Sequence, residues 1–194
     1  MNQRRQASSV NPILILVVVG VLIVGAILWF VLRDGSDDSK DKDKGTSNKP
    51  LPAQVYVAPG KSFSFEYPGN FSVKPGVEPE GFVWIAGVGP YDVLNVKRIA
   101  NVPTPLGRLK SEARLALSNT PGVTIIGEGT ETHAGIRMVR FDLDSKVKEL
   151  TLHSKIFQFN ANKVTWQLEC ESQAHAADID AACSRALETF TAAS

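Results

Sequence analysis

The sequence predicts an α+β domain with a mostly antiparallel sheet, preceded by one transmembrane helix. Several segments alternate apolar and polar residues with period two, and short polar breaks separate them, as expected for antiparallel strands. Two other segments repeat apolar residues with the helical period. A third observation is an uncharged apolar run at residues 13–32. These patterns divide the chain into a short tail, a membrane span, a linker and one folded domain.

The apolar run at residues 13–32 contains 20 residues and no charged side chain. As a helix it would be about 30 Å long, which matches the hydrocarbon thickness of a bilayer. The alternative is a cleaved signal peptide, but its nearest small-residue cleavage site, residues 24–26, lies inside the run. No cysteine follows the run closely enough for lipid attachment. We therefore predict an uncleaved membrane anchor.

The charges around this run do not decide its orientation by themselves. The basic residues that flank it are Arg4 and Arg5 before it, and Arg33, Lys40, Lys42 and Lys44 after it. The positive-inside rule is therefore ambiguous here. A short basic tail before a single span is the usual form of a signal anchor, which places the tail, residues 1–12, in the cytoplasm. The flexible charged linker, residues 33–52, then leads to a domain at residues 53–194 outside the plasma membrane.

The folded domain is almost neutral. From Ala53 to Ser194 there are 14 Lys and Arg residues against 15 Asp and Glu residues. Nucleic-acid binding proteins usually show a basic patch or stripe, and the sequence has none. We therefore expect no nucleic-acid partner.

The first strands are predicted from the alternation of apolar and polar residues. Phe63, Phe65 and Tyr67 fall on one face of a half-buried strand. A turn at residues 68–70 follows, and residues 71–73 are expected to form a short return strand. The segments 81–89 and 91–100 are two further strands, and the break at residues 87–90 suggests a hairpin.

The first helix is predicted where the spacing of apolar residues changes from the period of a strand to that of a helix. Its apolar face carries Leu106, Leu109, Ala113 and Leu117. Thr104 is the expected N-cap, Pro105 suits the first turn, and Pro121-Gly122 ends the helix. Four more strands follow, at residues 123–126, 135–144, 149–160 and 161–172, and a helix near residues 178–191 closes the domain.

The chain has two cysteines, Cys170 on the last predicted strand and Cys183 on the last helix. Cys170 shares its strand face with Val164, Trp166 and Leu168, while Thr165, Gln167, Glu169 and Glu171 share the other face. Cys183 lies on the apolar face of the helix. The two thiols therefore lie on surfaces that must meet, which predicts a disulfide between Cys170 and Cys183; two buried free thiols are the alternative. A disulfide and an extracytoplasmic location support each other.

Three stretches resemble one family. FSFEYPGNFSV at residues 63–73 resembles the Phe-x-Phe-x-Tyr-Pro entry of PsbP-like domains, and THAGIRMVRFDLD at residues 132–144 resembles their central strand. WQLECESQAHAADIDAACSRALETF at residues 166–190 resembles their closing strand and helix. With its cysteine pair and anchor, the chain looks most like actinobacterial envelope proteins of the LpqN type, although it has a span in place of a lipobox. The resemblance implies an α/β/α sandwich and a binding or accessory role, and it transfers no functional residue.

No catalytic, cofactor-binding or metal-binding residue is predicted. His133, His153 and His175 lie on three different elements, without the spacing of a metal site. His153 with Asp142 and Asp144 on a neighbouring strand would be the one candidate for a surface metal site. The sequence also has no Gly-x-Ser-x-Gly elbow and no phosphate-binding glycine loop. No cofactor is therefore expected.

These observations predict a membrane-anchored, extracytoplasmic, non-catalytic binding domain of the cell envelope. Its expected partners are the membrane itself and an envelope protein, lipid or glycan. One alternative is a small extracytoplasmic enzyme, either a hydrolase or a metal-dependent enzyme, whose site is built from dispersed residues. Another is an accessory subunit of a membrane complex. The enzyme would require a polar pocket with at least two convergent titratable groups.

Overall fold

The structure is a computed structural model, and it describes residues 52–74, 82–89, 91–173 and 176–193. The predicted tail (1–12) and transmembrane segment (13–32) lie outside the described residues, as does the linker (33–52) except for its last residue. Neither helix in the described part of the chain has the length and hydropathy needed to cross a membrane.

The described chain forms ten strands, two α-helices and one short 3-10 turn at Pro59–Lys61. The strands are β1 (Ala53–Val57), β2 (Phe63–Pro68), β3 (Ser72–Val73), β4 (Phe82–Ala86), β5 (Val93–Ala100), β6 (Val123–His133), β7 (Ile136–Val147), β8 (Leu150–Ala161), β9 (Val164–Ser172) and β10 (Thr191–Ala192). The helices are α1 (Leu106–Ser118) and α2 (Ala176–Thr189).

Seven strands form one large sheet in the order β3-β4-β5-β9-β8-β7-β6. Every pairing between described strands is antiparallel, which confirms the predicted α+β class and sheet type. β4 and β5 form the predicted hairpin. The β6–β7 turn has Ala134 at φ 48° and Gly135 at φ 78°, and the β8–β9 turn has Asn162 and Lys163 at φ 47° and 62°. Two successive positive φ angles match the right-handed twist of the flanking strands and hold the long meander in register.

A second sheet contains β1, β2 and β10, in the order β1-β2-β10. Alternation in the sequence predicts β2 but neither of its two neighbours. The prediction that residues 71–73 return along β2 is wrong. β3 pairs with β4 in the large sheet, through Ser72 with Ala86 and Val73 with Ile85. The turn after β2 therefore carries the chain from one sheet to the other.

One face of the large sheet is covered by α2 and by the second sheet. Helix α2 packs against β2, β9 and β5. The main hydrophobic core is formed where they meet, and Phe63 of β2 contacts Trp166 of β9 with ring centroids 5.0 Å apart. Phe190, directly after α2, completes the aromatic group, 5.5 Å from Trp166.

The opposite face is covered by α1, which packs against β6 and β7. Its Leu109 and Ala113 form a second core with Val139 and Phe141 of β7 and Ile156 of β8. Met138 belongs to the first core, and its neighbour Val139 to the second. Because successive residues of a strand point to opposite faces, the two helices lie on opposite sides of the sheet. This is the α/β/α arrangement that the resemblance implied.

The start of α1 differs from the prediction. The N-cap position is occupied by Pro105, and no side chain caps the helix. Thr104 is not the N-cap, because its backbone N–H donates across to Asn160 Oδ1 at 3.0 Å and to Thr165 Oγ1 at 3.1 Å. The chain entering α1 is therefore held by β8 and β9.

Candidate functional site

The polar face of β9 is buried. Relative to the free residue, Gln167 is 7% exposed and Glu169 is 8% exposed, and Thr165 is fully buried. Polar faces of antiparallel strands are normally solvated, and buried carboxylates are uncommon. β9 differs because it lies at the centre of the large sheet, between β5 and β8.

Strand register brings polar residues from four strands together around this face. Asn95 of β5 lies opposite Glu169, and Trp84 of β4 lies opposite Asn95. On the other side, Ser154 and Gln158 of β8 lie opposite Glu171 and Gln167. We call this group the β9 polar cluster. It consists of Trp84, Asn95, Ser154, Gln158, Gln167, Glu169 and Glu171.

Hydrogen bonds connect most of these side chains. Asn95 Nδ2 donates to Glu169 Oε2 at 3.2 Å, and Gln167 Nε2 donates to the same oxygen at 3.5 Å. Gln158 Nε2 donates to Gln167 Oε1 at 3.0 Å. Ser154 Oγ donates to Glu171 Oε2 at 3.1 Å. The Glu169 carboxylate is thus held by two amides, and the Glu171 carboxyl by one hydroxyl.

Two atoms of the β9 polar cluster have no hydrogen-bond partner although they are buried. They are the indole N–H of Trp84, at Nε1, and the side-chain carbonyl of Asn95, at Oδ1. Asn95 as a whole is only 9% exposed. A buried polar atom without a partner costs about 1–3 kcal/mol, so most folded proteins have very few. Trp84 supplies an unpartnered donor and Asn95 an unpartnered acceptor, and the two residues lie opposite each other on β4 and β5. This arrangement indicates a place where a ligand could bind.

The two carboxyl groups of the cluster differ in their electrostatics. Burial, and after it the nearby Glu169 carboxylate, raises the pKa of Glu171, while the Ser154 hydroxyl lowers it; together they move the pKa from 4.5 to about 7. Near neutral pH, the Glu171 side chain is therefore a carboxylic acid for much of the time, and it can donate a hydrogen bond as well as accept one.

The cluster lies at the margin of the second core. Ile156, which packs against α1, is the direct neighbour of Glu169 on β8. Helix α1 therefore borders the cluster on one side, and Trp84 lies on the other, with Glu169 and Asn95 between them. Gln158, Glu171 and Trp84 are partly exposed, so solvent reaches the cluster.

A second polar group lies on the opposite face of the sheet, beside α2. It lines a groove of about 190 Å³, and its charged residues include Glu131, Arg140, Lys155 and Asp180. Most of these charges are paired within the protein. Arg140 contacts Glu131 at 3.1 Å and Asp142 at 3.2 Å, and Lys155 contacts Asp180 at 2.7 Å. The Arg140–Glu131 pair joins β7 to β6 and the Lys155–Asp180 pair joins β8 to α2, so these two ion pairs have a structural role. Arg140 Nε and Asp142 Oδ1 are also buried without a hydrogen-bond partner.

The two histidines within the described residues lie on different strands. His133 lies on β6, 3.1 Å from Glu131, and His153 lies on β8, 2.7 Å from Asp144 on β7. The strand contact predicted for His153 is therefore present, and His175 lies outside the described residues. Within the described ranges, no three His, Cys, Asp or Glu side chains are grouped as a metal site would need.

The structure joins Cys170 and Cys183 in a disulfide whose Cα atoms are 6.0 Å apart. Both residues belong to the main core and are almost fully buried. The bond links β9 to α2, the two elements that the sequence places face to face. It lies on the face of β9 opposite to Glu169 and Glu171, so it stiffens the strand that carries the cluster.

The sequence reasoning missed the β9 polar cluster. It placed Gln167, Glu169 and Glu171 on one face of the last strand but assigned them no function. The sequence does contain one signal, which is four polar residues at every second position beside an equally regular apolar face. That signal becomes meaningful only once β9 is known to have strands on both sides.

Comparison with solved structures identifies the fold of the domain. No protein-family model matches the sequence, and no curated protein matches it significantly. Solved structures that are similar to this chain include the following three. Cyanobacterial PsbP, CyanoP, of Synechocystis sp. PCC 6803 is 11% identical, with a TM-score of 0.54, and the match covers 78% of this chain and 98% of that one. A protein of Bacteroides thetaiotaomicron VPI-5482 is 10% identical, with a TM-score of 0.52, and the match covers 72% of this chain and 48% of that one. LpqN of Mycobacterium tuberculosis, involved in cell envelope biogenesis, is 15% identical, with a TM-score of 0.48, and the match covers 74% of this chain and 86% of that one. The match to nearly all of CyanoP shows that the domain has a PsbP-like fold.

Proposed function

We propose that the chain is a single-pass membrane protein of the cell envelope, and that residues 53–194 form a non-catalytic binding domain outside the plasma membrane. The observation that carries the binding role is the unpartnered pair in the β9 polar cluster, Trp84 Nε1 and Asn95 Oδ1. Their desolvation is a cost to the folded domain that a ligand able to pair with both would offset. Binding is therefore the role that best accounts for this cost.

The disulfide between Cys170 and Cys183 supports the extracytoplasmic location. Disulfides persist in oxidising compartments and are rare in the cytosol. The apolar run at residues 13–32 supports the anchor, since its length suits a single span. With the tail at residues 1–12 in the cytoplasm, the linker and the domain both lie on the outer side.

The proposed partner is an envelope protein, a lipid or a glycan. The near-neutral domain disfavours nucleic acid, as the charge count indicates. A role as an accessory subunit of a membrane complex is compatible with the PsbP-like fold, but a fold by itself does not assign a function.

A second candidate function is a small hydrolase, and one observation favours it. Glu169 and Glu171 are adjacent on one strand face, and the raised pKa of Glu171 sets it apart from its neighbour. Pairs of carboxyl groups in different environments can act as general acid and general base. We favour binding because both carboxyl groups are already held by hydrogen bonds within the cluster, Glu169 by two amides and Glu171 by a hydroxyl.

Site-specific photocrosslinking in the source cells tests the binding role. Benzoylphenylalanine replaces Gln158, which lies at the partly exposed margin of the β9 polar cluster. The matched control replaces His153, which is exposed on the opposite face of the same strand. We expect a specific adduct from position 158, and we expect Asn95→Leu in the same chain to abolish it.

Two results would reject the binding role. One is an identical set of adducts from positions 158 and 153. The other is an adduct from position 158 that persists unchanged with Asn95→Leu. The hydrolase would be favoured if Glu171→Gln left the adduct in place and the partner accumulated without being cleaved.

A further inference from the structure

We propose that the β9 polar cluster binds a neutral, polyhydroxylated ligand, that is, a carbohydrate. This inference rests on the binding role proposed above and specifies the chemistry of the ligand. It depends on which hydrogen-bonding groups of the cluster remain unsatisfied and on how they are placed.

The two unpartnered atoms need opposite kinds of partner. Trp84 Nε1 is a donor and needs an acceptor, and Asn95 Oδ1 is an acceptor and needs a donor. Trp84 and Asn95 face each other directly across β4 and β5. Side chains at opposed positions lie about 5 Å apart at their Cβ atoms, so one ligand can reach both. Hydroxyl groups suit both atoms, because a hydroxyl can donate and accept.

The remaining members of the cluster extend the same chemistry along the sheet. The side-chain amides of Gln158 and Gln167, the Ser154 hydroxyl and the Glu171 carboxyl each offer hydrogen bonds without requiring a charged partner. Glu171 can be both donor and acceptor near neutral pH, because burial raises its pKa. A ligand with several hydroxyl groups on a rigid ring can pair with several of these groups together, and the Trp84 indole offers an apolar surface for the ring.

Other ligand classes fit less well. An anion such as phosphate would meet the Glu169 carboxylate, whose negative charge repels it. An extended peptide can pair with Trp84 and Asn95 through the C=O and N–H of one residue, and hexaglycine represents this class in the test below. Apolar lipid tails would leave the two free polar atoms without partners.

The test uses the full chain in lipid nanodiscs made of phosphatidylglycerol, which contain no sugar. The probes are maltohexaose, cellohexaose and chitohexaose, and the comparison compounds are hexaglycine and inorganic phosphate. The readout is the indole N–H resonance of Trp84 in nitrogen-15 NMR, which is identified by its absence in Trp84→Phe. We expect at least one oligosaccharide to shift this resonance, and we expect neither comparison compound to do so.

Two variants locate the binding. Trp84→Phe keeps an aromatic ring but removes the N–H, and Asn95→Leu keeps the approximate volume but removes the carbonyl. Saturation-transfer NMR on the oligosaccharide should show affinity reduced about tenfold or more in each, since each variant removes one hydrogen bond between the domain and the ligand. His153→Gln, on the opposite face, is the matched control and should bind as well as the wild type. If one variant does not fold, as judged by its amide spectrum, the affinity of the other variant still tests the proposal.

A further pair of nanodiscs distinguishes the source of the sugar. If discs that contain digalactosyldiacylglycerol shift the Trp84 resonance and the free oligosaccharides do not, the ligand is the headgroup of a membrane glycolipid. A shift by free oligosaccharides alone identifies a soluble or wall-bound glycan.

The carbohydrate proposal is overturned if no oligosaccharide or glycolipid shifts the Trp84 resonance, or if binding is unchanged in Trp84→Phe and Asn95→Leu. A shift by hexaglycine or phosphate alone also overturns it. The binding role itself survives these outcomes if the crosslink from position 158 remains sensitive to Asn95→Leu, so the two proposals can fail separately.

Discussion

Glu171 is the residue, among those that the structure describes, whose protonation is most affected by the fold. It lies beside Glu169 on a central strand, and both burial and the neighbouring charge favour its neutral form. In the unfolded chain both causes disappear, and the carboxyl returns to an ordinary pKa near 4.5. Its ionisation is therefore linked to folding.

We predict that the domain loses stability as the pH rises from about 4.5 to 7. Over this interval the folded state keeps the Glu171 proton and the unfolded state releases it, so the free energy of unfolding falls. The pKa difference corresponds to about 3 kcal/mol, which is fully present below pH 4.5 and lost above pH 7. Urea unfolding followed by tryptophan fluorescence measures it, as the difference between the wild type and Glu171→Gln at each pH.

The exposed Glu149 supplies the control for this prediction. The variant Glu149→Gln should follow the wild-type pH curve closely. A constant difference between Glu171→Gln and the wild type across the pH range would show that Glu171 ionises normally in the folded domain.

At the scale of elements, the Cys170–Cys183 disulfide fastens α2 to β9 across a sequence separation of 13. Helix α2 carries Leu187 and ends beside Phe190, so its position shapes the main core. In the chain-entropy model, closing a loop of this size stabilises the folded state by about 3 kcal/mol.

We predict that replacing both cysteines with alanine lowers the free energy of unfolding by about 3 kcal/mol. Chemical denaturation of the full chain in detergent, monitored by far-ultraviolet circular dichroism, checks this value. The wild type treated with a reductant under denaturing conditions is the control and should lose a similar amount. Equal stability of the double variant and the oxidised wild type would mean that packing alone holds α2.

Helix α1 depends on packing in a different way, because it has no disulfide and no side-chain N-cap. Its Leu109 is buried in the second core, whereas Leu115 on the same helix is 64% exposed. Lys110 also contacts Glu128 of β6 at 3.3 Å, and such exposed ion pairs contribute little. The apolar contacts of Leu109 and its neighbours therefore hold this helix on the sheet.

We predict that Leu109→Ala destabilises the domain by about 3 kcal/mol, since a large buried side chain is removed and a cavity remains. Leu115→Ala makes the same chemical change on the exposed side and should alter stability by about 0.5 kcal/mol or less. Thermal unfolding of both variants compares them directly. Similar losses in the two would argue that α1 is not packed as described.

At the scale of the whole molecule, the proposed arrangement is a folded domain joined to a bilayer by a charged linker. The domain has two hydrophobic cores on opposite faces of one sheet and a disulfide in the larger core. Such a domain should resist proteolysis, while a charged, Gly- and Ser-rich linker should be cut readily.

We predict that protease added to intact spheroplasts cleaves within residues 34–52 and releases the domain into the medium. The released fragment should contain no thiol that reacts with a maleimide under non-reducing, denaturing conditions. A cytosolic marker protein, which must stay intact, controls for lysis. Full protection of the chain until the cells are lysed would mean that the domain faces the cytoplasm.

The sequence alone determined the properties that depend on neighbouring residues along the chain. Alternation located β2, β4, β5 and the meander from β6 to β9, and the helical period located α1 and α2. Alternation directed Cys170 inward and the helical period directed Cys183 inward, and together they sufficed to predict the pairing of the two cysteines. The predicted membrane span also rests on local composition, because bilayer thickness fixes the length of apolar helix that is needed.

The tertiary structure decided which strands are neighbours, and this created the candidate site. Strand pairing is nonlocal, so no periodicity in β9 could reveal that β5 and β8 flank it or that Trp84 and Asn95 extend its polar row. The same reason explains why β3 joins β4 and why β1 and β10 were missed, since short strands are defined by their partners. Alternation shows which side chains share a face, and only the folded sheet shows whether that face meets water or is buried.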